Sequence, residues 1–240
     1  SPDGSYTISV KDVKMESIFG TDLYPELQKS NAQVYNTLNY RHWDTWEDGA
    51  YQHVFVKPTN GNGPEVDLLA GEKFDCPQMP FGGDEDYLWS PDSKSVLYVT
   101  KKKYGKDYAQ STNTDIYAFD IATKTTKNLT EGMMGYDISP AFSSTGTLAW
   151  LSMKNDGFES DKNDIIVDNQ GVKTNLTAQW DGTVDAFIWD SKGKKIYFIA
   201  PINGTKQLFE VDNPGLTKKM PVVRQITNGD FDVNGIVGQT

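Results

Sequence analysis

The stretch WSPDSKSVLYVT, residues 89–100, has two counterparts further along the chain. Residues 142–150 read FSSTGTLAW, and residues 189–199 read WDSKGKKIYFI. Each begins with an aromatic residue, continues through a polar turn and ends in a run rich in apolar residues. Serine, aspartate and glycine suit tight turns, and an apolar period of two is typical of a β-strand. The pattern therefore predicts a strand, a turn and a second strand, three times over.

The three stretches recur at nearly constant intervals. Trp89 and Phe142 are 53 residues apart, and Phe142 and Trp189 are 47 apart. A second marker recurs in step with the first, at Leu129-Thr130, Leu176-Thr177 and Ile226-Thr227. Because the two markers keep a constant phase, the sequence predicts an internal structural repeat.

Each repeat resolves into four short strands. The third strand is predicted at residues 115–121, 164–168 and 207–212, and the fourth ends at the Leu-Thr or Ile-Thr marker. Four antiparallel strands in 40 to 50 residues are typical of a propeller blade, which buries its faces only against neighbouring blades. The prediction is an all-β fold, a β-propeller domain over residues 1–240, with four to five blades or a partial arc.

The first repeat departs from this pattern. After an apolar strand at residues 6–10, the next strand does not begin until about Tyr51, and Leu69-Ala70 is a degenerate form of the second marker. The segment at about 21–49 is too long for a hairpin loop. Its apolar residues are loosely spaced as in a helix, which predicts a short helical insertion in the first blade; they are Leu23, Leu27, Val34 and Leu38.

The two ends of the chain leave the number of blades open. Counting forward from Thr227, the next aromatic position falls on Gln239, and the chain begins with Ser-Pro-Asp-Gly, a turn of the kind that should follow it. A strand at 230–239 could pair with residues 6–10 and close a ring of four blades. Alternatively, the chain is an open arc cut from a longer protein, and the resemblance given below favours this arc.

Composition excludes several classes of partner. The formal net charge is −10, which disfavours binding to nucleic acid. No apolar run reaches 18 residues, so no membrane helix is expected, and no signal peptide opens the chain. Cys76 is a single cysteine, so no disulfide forms within the chain. With only His42 and His53 and no calcium-loop spacing, no metal or other cofactor is expected.

Four stretches carry a resemblance to a known family. They resemble the amino-terminal propeller of bacterial prolyl oligopeptidase-family serine peptidases, in particular dipeptidyl-peptidase 5-like and acylaminoacyl-peptidase-like enzymes. The motifs R-H-W-D-x-W at 41–46 and D-G-F-E-x-D-K at 156–162 are the most specific part of it. The stretches are YRHWDTWEDGAYQHVFV (40–56), WSPDSKSVLYVTKKKYGKDYAQSTNTDIYAFD (89–120), NLTEGMMGYDISPAFSSTG (128–146) and WLSMKNDGFESDKNDIIV (150–167).

The resemblance implies a propeller that covers an α/β-hydrolase domain with a Ser-His-Asp triad. That domain needs a G-x-S-x-G elbow, and these 240 residues contain none. We therefore expect this chain to have no catalytic residues and no activity by itself. Its implied role is to limit access to short peptides and to help bind them for a serine exopeptidase. The implied partners are those peptides and the carboxy-terminal hydrolase domain, and the implied location is the periplasm, with the cytoplasm left open.

The loop with the R-H-W-D-x-W motif holds the first candidate binding residues. Trp43, Trp46 and Arg41 could face the cavity between the two domains and grip a peptide, because Trp and Arg are common anchors in interfaces. The alternative is structural: both Trp side chains bury the insertion against the blade, and Arg41 pairs with Asp44.

The second candidate set lies in the D-G-F-E-x-D-K motif. An enzyme that releases dipeptides must recognise a free α-amino group, and a carboxylate does so through charge-assisted hydrogen bonds. Glu159 is the first candidate for this role and Asp161 the second. The alternative is an ordinary exposed acidic loop. Tyr104 and Tyr108, in the equivalent loop of the preceding blade, could line the same opening.

Two other functions are alternatives to the peptidase propeller. A periplasmic protein-binding propeller, similar to those of translocation assemblies, also has Ser-Pro-Asp-Gly repeats but lacks the R-H-W-D-x-W motif and the long first-blade insertion. A propeller glycosidase needs two carboxylates across a cleft, and no such pair stands out in the sequence.

Overall fold

The computed structural model describes residues 1–217 and 219–238. The chain divides into two compact units, Ser1–Glu131 and Gly132–Thr240. Both are built from antiparallel sheets. Within the described residues, no helix is long and apolar enough to span a membrane.

The first unit begins with a three-stranded sheet. Its strands are β1 (Tyr6–Lys14), β4 (Ala50–Pro58) and β5 (Val66–Asp67), in that order. Residues 15–49 connect β1 to β4 and form the predicted insertion. They contain a helix, α1 (Gly20–Leu23), and a small hairpin of β2 (Arg41–His42) and β3 (Thr45–Trp46).

The insertion is much less helical than the spacing of its apolar residues predicts. Only Leu23 of the four lies in α1, and Leu27, Val34 and Leu38 lie outside any helix. Pro25 follows directly after the helix cap, and a proline disfavours helical geometry in the residue before it. Leu23, Leu27 and Leu38 are also exposed, so no buried apolar face stabilises a longer helix.

The second sheet of the first unit has four strands in sequential order. They are β6 (Tyr87–Trp89), β7 (Ser95–Thr100), β8 (Asp115–Asp120) and β9 (Thr126–Asn128). A single 3-10 turn, Asp84–Asp86, precedes β6, and a short helix, α2 (Lys106–Gln110), lies between β7 and β8.

The second unit contains two sheets with the same order. The first has β10 (Asp137–Phe142), β11 (Leu148–Ser152), β12 (Asp164–Asn169) and β13 (Val172–Asn175). The second has β14 (Ala186–Trp189), β15 (Lys195–Ile202), β16 (Thr205–Asp212) and β17 (Val223–Gln225). The three third strands predicted from the repeat are therefore confirmed as β8, β12 and β16.

Each unit has its own apolar core between successive sheets. In the first unit, the buried members include Val54, Val56, Leu69, Val96, Tyr98 and Phe119. In the second, they include Leu151, Ile165, Val167, Ile196, Phe198 and Phe209. These side chains come from neighbouring sheets, as expected of blades that cannot bury their faces alone.

The aromatic markers link one sheet to the next. The Trp89 ring stacks on the ring of Tyr6 with centroids 6.0 Å apart, which joins the two sheets of the first unit. In the second unit, the Trp189 indole donates a hydrogen bond to the Ala141 carbonyl at 3.1 Å. Both Trp side chains are only partly buried, so they lie at the border of the core.

The second marker has a hydrogen-bonding role. The Leu129 amide donates to the Ile116 carbonyl at 2.8 Å, and the Thr130 hydroxyl accepts from the Ile116 amide at 3.0 Å. Thr177 accepts from the Ile165 amide in the same way at 3.0 Å. The marker thus extends the pairing of the third and fourth strands beyond the end of the fourth.

In the first sheet the marker is one residue earlier than predicted. Leu68, rather than Leu69, takes the Leu position, because its amide donates to the Val54 carbonyl at 3.0 Å. Leu69 takes the Thr position and Ala70 lies outside the marker. This register also identifies β4 as the equivalent of the third strand in the other sheets.

The predicted last strand, at 230–239, includes Gln239, which lies outside the described residues. Its described part, residues 230–238, contains no strand. The Val233 amide donates to the Lys206 carbonyl at 2.8 Å, so this segment runs beside the start of β16.

Candidate functional site

The candidate binding residues all lie on one type of connection. In each four-stranded sheet, this is the connection between the second and the third strand. In the first sheet, the equivalent connection is the one from β1 to β4. These links are residues 15–49, 101–114 and 153–163 in the first three sheets, and only Asn203 and Gly204 in the last. Long loops on a rigid sheet are common carriers of binding residues.

A cavity of about 110 Å³ lies between the insertion and the loop after β7 in the first unit. Carboxylate and tyrosine side chains dominate its polar lining. The lining includes Glu16, Tyr35, Glu47, Gly49, Tyr51 and Tyr104. A smaller adjoining cavity of about 30 Å³ shares Glu47, Tyr51 and Tyr104 and adds Lys73, Asp75 and Tyr108.

Glu16 is the most connected of these side chains. Its carboxylate accepts hydrogen bonds from Tyr51 at 2.9 Å and from Tyr104 at 3.0 Å. It also pairs with the Lys73 ammonium at 2.7 Å. Burial alone would raise the pKa of Glu16, but these three donors outweigh it and the pKa is lowered. Glu16 is therefore ionised and joins the insertion to two other segments.

A glycine positions Glu16 at the start of the insertion. The amides of Met15 and Glu16 donate to the Gly49 carbonyl at 2.8 and 2.9 Å. Gly49 has a φ of +81°, and a Cβ there would lie 2.3 Å from the Glu16 carbonyl oxygen. Only glycine suits that position, so the two ends of the insertion close on each other.

Glu47 is the carboxylate without a partner. Its amide donates to the Tyr40 carbonyl at 3.0 Å, and its own carbonyl accepts from the Tyr35 hydroxyl at 2.7 Å. Within the described residues no group donates a hydrogen bond to its carboxylate. Burial, and then the negative charges of Asp75, Asp48 and Glu16, raise the pKa of Glu47 to about 7.

Asp75 adds to the negative potential of the smaller cavity. Burial raises the pKa of its carboxyl to about 6, although a hydrogen bond from the Gln52 amide at 2.8 Å opposes the rise. The two half-buried carboxyls Glu47 and Asp75 therefore both titrate near neutral pH. A cation placed between them would be attracted and would lower both pKa values.

An open groove of about 550 Å³ adjoins the cavity on the other side of residues 35–38. Its wall is a cluster of three rings, Tyr35, Tyr40 and Trp46, with centroids 5.4 to 6.0 Å apart. The Arg41 guanidinium lies 5.4 Å from the Trp46 ring centroid. The structure thus brings two of the predicted binding residues, Arg41 and Trp46, together.

The insertion does not bury its tryptophans. The exposed fraction of Trp46 is 47% and that of Trp43 is 68%. Trp43 contacts Phe81 edge to face at 5.7 Å. Among the described residues Arg41 forms no ion pair with Asp44. The structural alternative for this loop is therefore wrong on both points, and its aromatic side chains are available to a ligand.

The two predicted tyrosines have different surroundings. Tyr104 lines the cavity and bonds Glu16, as described above. The hydroxyl of Tyr108 donates to the Met79 carbonyl at 3.1 Å, and the Lys101 ammonium lies 4.3 Å from its ring centroid. Tyr104 is therefore the stronger candidate for contact with a ligand.

In the second unit, the Asp161 carboxylate is hydrogen-bonded to backbone amides of its own loop. Its carboxylate accepts hydrogen bonds from the amides of Lys154, Asn155 and Lys162 at 2.8 to 3.1 Å. Burial would raise the pKa of Asp161, but these bonds outweigh it and lower the pKa. Asp161 therefore holds the shape of the loop and has little capacity left for a ligand.

Glu159 lies on the loop that Asp161 holds. Its side chain is exposed, and no described residue donates a hydrogen bond to its carboxylate. It is thus free to meet a ligand. Because Tyr104 and Tyr108 belong to the first unit and Glu159 to the second, the expectation that they line one opening stays a prediction.

The comparisons with known proteins agree with the motifs. Dipeptidyl-peptidase 5 of Porphyromonas gingivalis is 37% identical over 239 residues, which cover 97% of this chain and 34% of that protein. Its counterpart in Porphyromonas endodontalis is 39% identical over 244 residues, covering 98% of this chain and 34% of that protein. The resemblance to prolyl oligopeptidase-family peptidases is confirmed. The chain spans about a third of the length of these curated relatives, and no family model matches it.

A solved structure supports the fold. An acylaminoacyl peptidase in complex with Z-Gly-Gly-Phe-chloromethyl ketone matches 97% of this chain and 31% of its own, with a TM-score of 0.62 and 15% identity. Pyrococcus horikoshii acylaminoacyl peptidase matches 95% of this chain with a TM-score of 0.59. Together with the four-stranded sheets, these matches confirm the all-β propeller fold class.

The sequence does not identify most of the residues that form the two cavities of the first unit. Glu16 and Asp75 have no motif around them. Tyr51 lies in the 40–56 stretch, but 35 residues separate it from Glu16. Glu47 was within reach of prediction, because it belongs to the acidic end of the R-H-W-D-x-W stretch. Its importance comes from burial, which the sequence does not reveal.

Proposed function

We propose that this chain is the peptide-selecting propeller of a serine exopeptidase of the dipeptidyl-peptidase kind. The nucleophile would come from an α/β-hydrolase domain, where Ser attacks the peptide carbonyl, His transfers the proton and Asp orients His. The 240 residues contain no G-x-S-x-G elbow, so the role of this chain would be binding and exclusion. We also propose a periplasmic location, on the family resemblance alone.

The observation that carries the binding role is the unpartnered Glu47 carboxylate in a cavity walled by tyrosines. The amino end of a peptide is a cation, and a half-buried carboxylate binds it more strongly than an exposed one does. When such a cation enters, Glu47 would ionise and form the charge-assisted bond. The exposed rings of Trp43 and Trp46 would hold apolar side chains of the peptide.

Two carboxylates compete for the amino group in this proposal. Glu159 is the residue that the motif suggests, and its exposed carboxylate is free. Glu47 is the residue that the cavity suggests. Asp161 is the weaker candidate, because the amides of its own loop occupy it.

The test uses the full-length protein with Glu159→Gln and Glu47→Gln separately. We expect the variant at the amine-binding position to lose about tenfold or more in kcat/KM on dipeptidyl reporters with a free amino end, since about 1.4 kcal/mol of binding energy corresponds to a factor of ten. Reporters with an acetylated amino end should be unaffected. Glu26→Gln, an exposed glutamate of the same insertion, is the matched control.

Equal losses on free and blocked reporters would remove that residue from the amine-binding role. No loss in either variant would remove both. Amide hydrolysis by the purified 240-residue chain would overturn the assignment of catalysis to another domain.

A further inference from the structure

The second unit contains a groove of about 690 Å³ that the proposed peptidase role does not use. One wall is the turn between β14 and β15, at residues 190–195. The other is formed by described residues between β16 and β17, at 213–217 and 219–222. Both walls belong to the same four-stranded sheet.

The groove is basic in a chain of net charge −10. Its cationic lining residues are Lys192, Lys194, Lys195, Lys219 and Arg224, against Asp212 as the acidic one. Lys195 and Arg224 are neutralised by two carboxylates: Glu210, at 2.9 and 2.7 Å, and Asp212, at 3.9 and 3.1 Å. The other three lysines form no ion pair with any described residue. Asp190 is the one further carboxylate of the turn and interacts with Lys192, so an excess of positive charge remains at the groove.

The opposite wall is apolar and exposed. Met220 is 60% exposed and Val222 is 59% exposed, and Pro214 and Pro221 line the groove beside them. Exposed apolar side chains gathered in one concave surface mark interaction sites more often than side chains scattered singly. The groove is thus lysine-rich on one side and apolar on the other.

The lysine turn is held in place before any partner arrives. The Asp190 carboxylate accepts hydrogen bonds from the Lys194 and Lys195 amides at 2.6 and 2.8 Å. The Asn213 amide donates to the Lys194 carbonyl at 2.8 Å, which links the turn to the other wall. Because the backbone of the turn is already ordered, it loses little conformational entropy on binding. Less of the attraction between its lysines and a partner is therefore offset by that cost.

Charge and shape together select the partner. Phosphate alone is too small for 690 Å³ and makes no use of the apolar wall. A planar membrane does not reach into a concave groove, and a nucleic-acid backbone offers charge but, like phosphate, makes no use of the apolar wall. An extended peptide with alternating acidic and apolar side chains satisfies both walls at once.

We propose that this groove docks an extended acidic segment of a partner protein, with carboxylates against Lys192 and Lys194 and apolar side chains against Val222. The site is separate from the peptide-binding proposal, because it involves neither Glu159 nor any residue of the first unit.

The probe is a short fluorescent peptide in which glutamates alternate with leucines, titrated with the full-length protein by fluorescence anisotropy. We expect saturable binding that weakens as NaCl is raised. Lys192→Glu with Lys194→Glu should weaken it by about tenfold or more. Lys124→Glu with Lys127→Glu, two exposed lysines of the first unit, gives the same change in net charge and should leave binding intact.

Val222→Ser tests the apolar wall without a change in charge, and it should weaken binding several-fold. Equal weakening by both lysine pairs would overturn the proposal, because binding would then follow net charge alone. Equal affinity for a peptide of glutamates and serines would overturn the role of the apolar wall. Binding to vesicles of anionic lipid in place of the peptide would reject a protein partner. Circular dichroism of each variant checks that it is folded.

Discussion

The Thr130 hydroxyl donates a hydrogen bond to the Asp115 carboxylate at 2.9 Å, and it accepts one from the backbone amide of Ile116. In the next sheet, Thr177 bonds Asp164 at 2.7 Å in the same arrangement. Both threonines are fully buried. The repeated threonine therefore fixes the register of the last strand in these two sheets.

Replacing Thr177 with valine should destabilise the protein. Valine has the same shape but neither accepts from the Ile165 amide nor donates to Asp164. A buried donor without a partner costs about 1 to 3 kcal/mol. We expect the free energy of unfolding, measured in urea, to fall by that amount. Thr7→Val, on an exposed strand position, is the control, and an equal loss there would contradict a specific role for Thr177.

The core of the second unit should be sensitive at Phe198. Its ring is fully buried and stacks on Phe209 with centroids 5.4 Å apart. Phe198→Ala leaves a cavity in a packed core and should cost about 3 to 5 kcal/mol. Phe158→Ala, at a 51% exposed position, should cost much less. Thermal denaturation followed by circular dichroism measures both, and similar costs would contradict the packing described here.

The stability of the first unit should depend on pH through Glu47. Its pKa rises from the ordinary 4.5 to about 7 on folding, so the folded state holds a proton that the unfolded chain has released. This contribution is fully present below about pH 4.5 and is lost as the pH rises through about 7.

Glutamine does not ionise, so in Glu47→Gln the stability no longer falls as the pH rises through about 7. We expect the variant to be more stable than the wild type near pH 8, by on the order of 1 kcal/mol, and no more stable near pH 4, since the open cavity screens part of the effect. Urea unfolding at several pH values measures it. A variant with an unchanged pH profile would show that Glu47 does not hold the proton. The other charged groups that face it or line the same cavity are Glu16, Asp48, Asp75, Lys73 and Lys103.

Asp161 should act as the anchor of its loop. Asp161→Asn loses the negative charge that holds the amides of Lys154, Asn155 and Lys162. We expect faster amide hydrogen exchange over residues 154–162 and little change elsewhere in the second unit. Glu159→Gln should leave exchange in this loop as it is. Unchanged exchange in Asp161→Asn would contradict the anchoring role, and Asp161 would again be a candidate for binding a ligand.

The strands were predictable because the information for them is local. In Lys195–Ile202 the apolar residues form an almost continuous short run, as expected of a strand buried on both faces, and the Asp-Ser-Lys-Gly turn before them allows the chain to reverse. The marker in the first sheet was misplaced by one residue, because Leu68 and Leu69 are alike in sequence and only the hydrogen bond to Val54 distinguishes them.

The insertion was less predictable for a related reason. Leu23, Leu27 and Leu38 have helical spacing, but no apolar surface lies against them in the fold. A short helix without such packing is not stable in water, so the segment takes its shape from contacts such as Gly49 with Glu16. Spacing alone does not show whether an apolar face will find a partner.

The sequence by itself determined the repeat, the sheets, the family resemblance and the loops on which binding residues lie, because period and turn chemistry act over a few neighbouring residues. Only the tertiary structure decided which polar groups meet. Glu16, Glu47 and Asp75 are distant in sequence. Glu16 and Glu47 meet in the larger cavity, and Glu47 and Asp75 in the smaller one, because β1 pairs with β4 and closes the insertion. The pKa of each carboxyl depends on burial and on neighbouring charges, and both are properties of the folded chain.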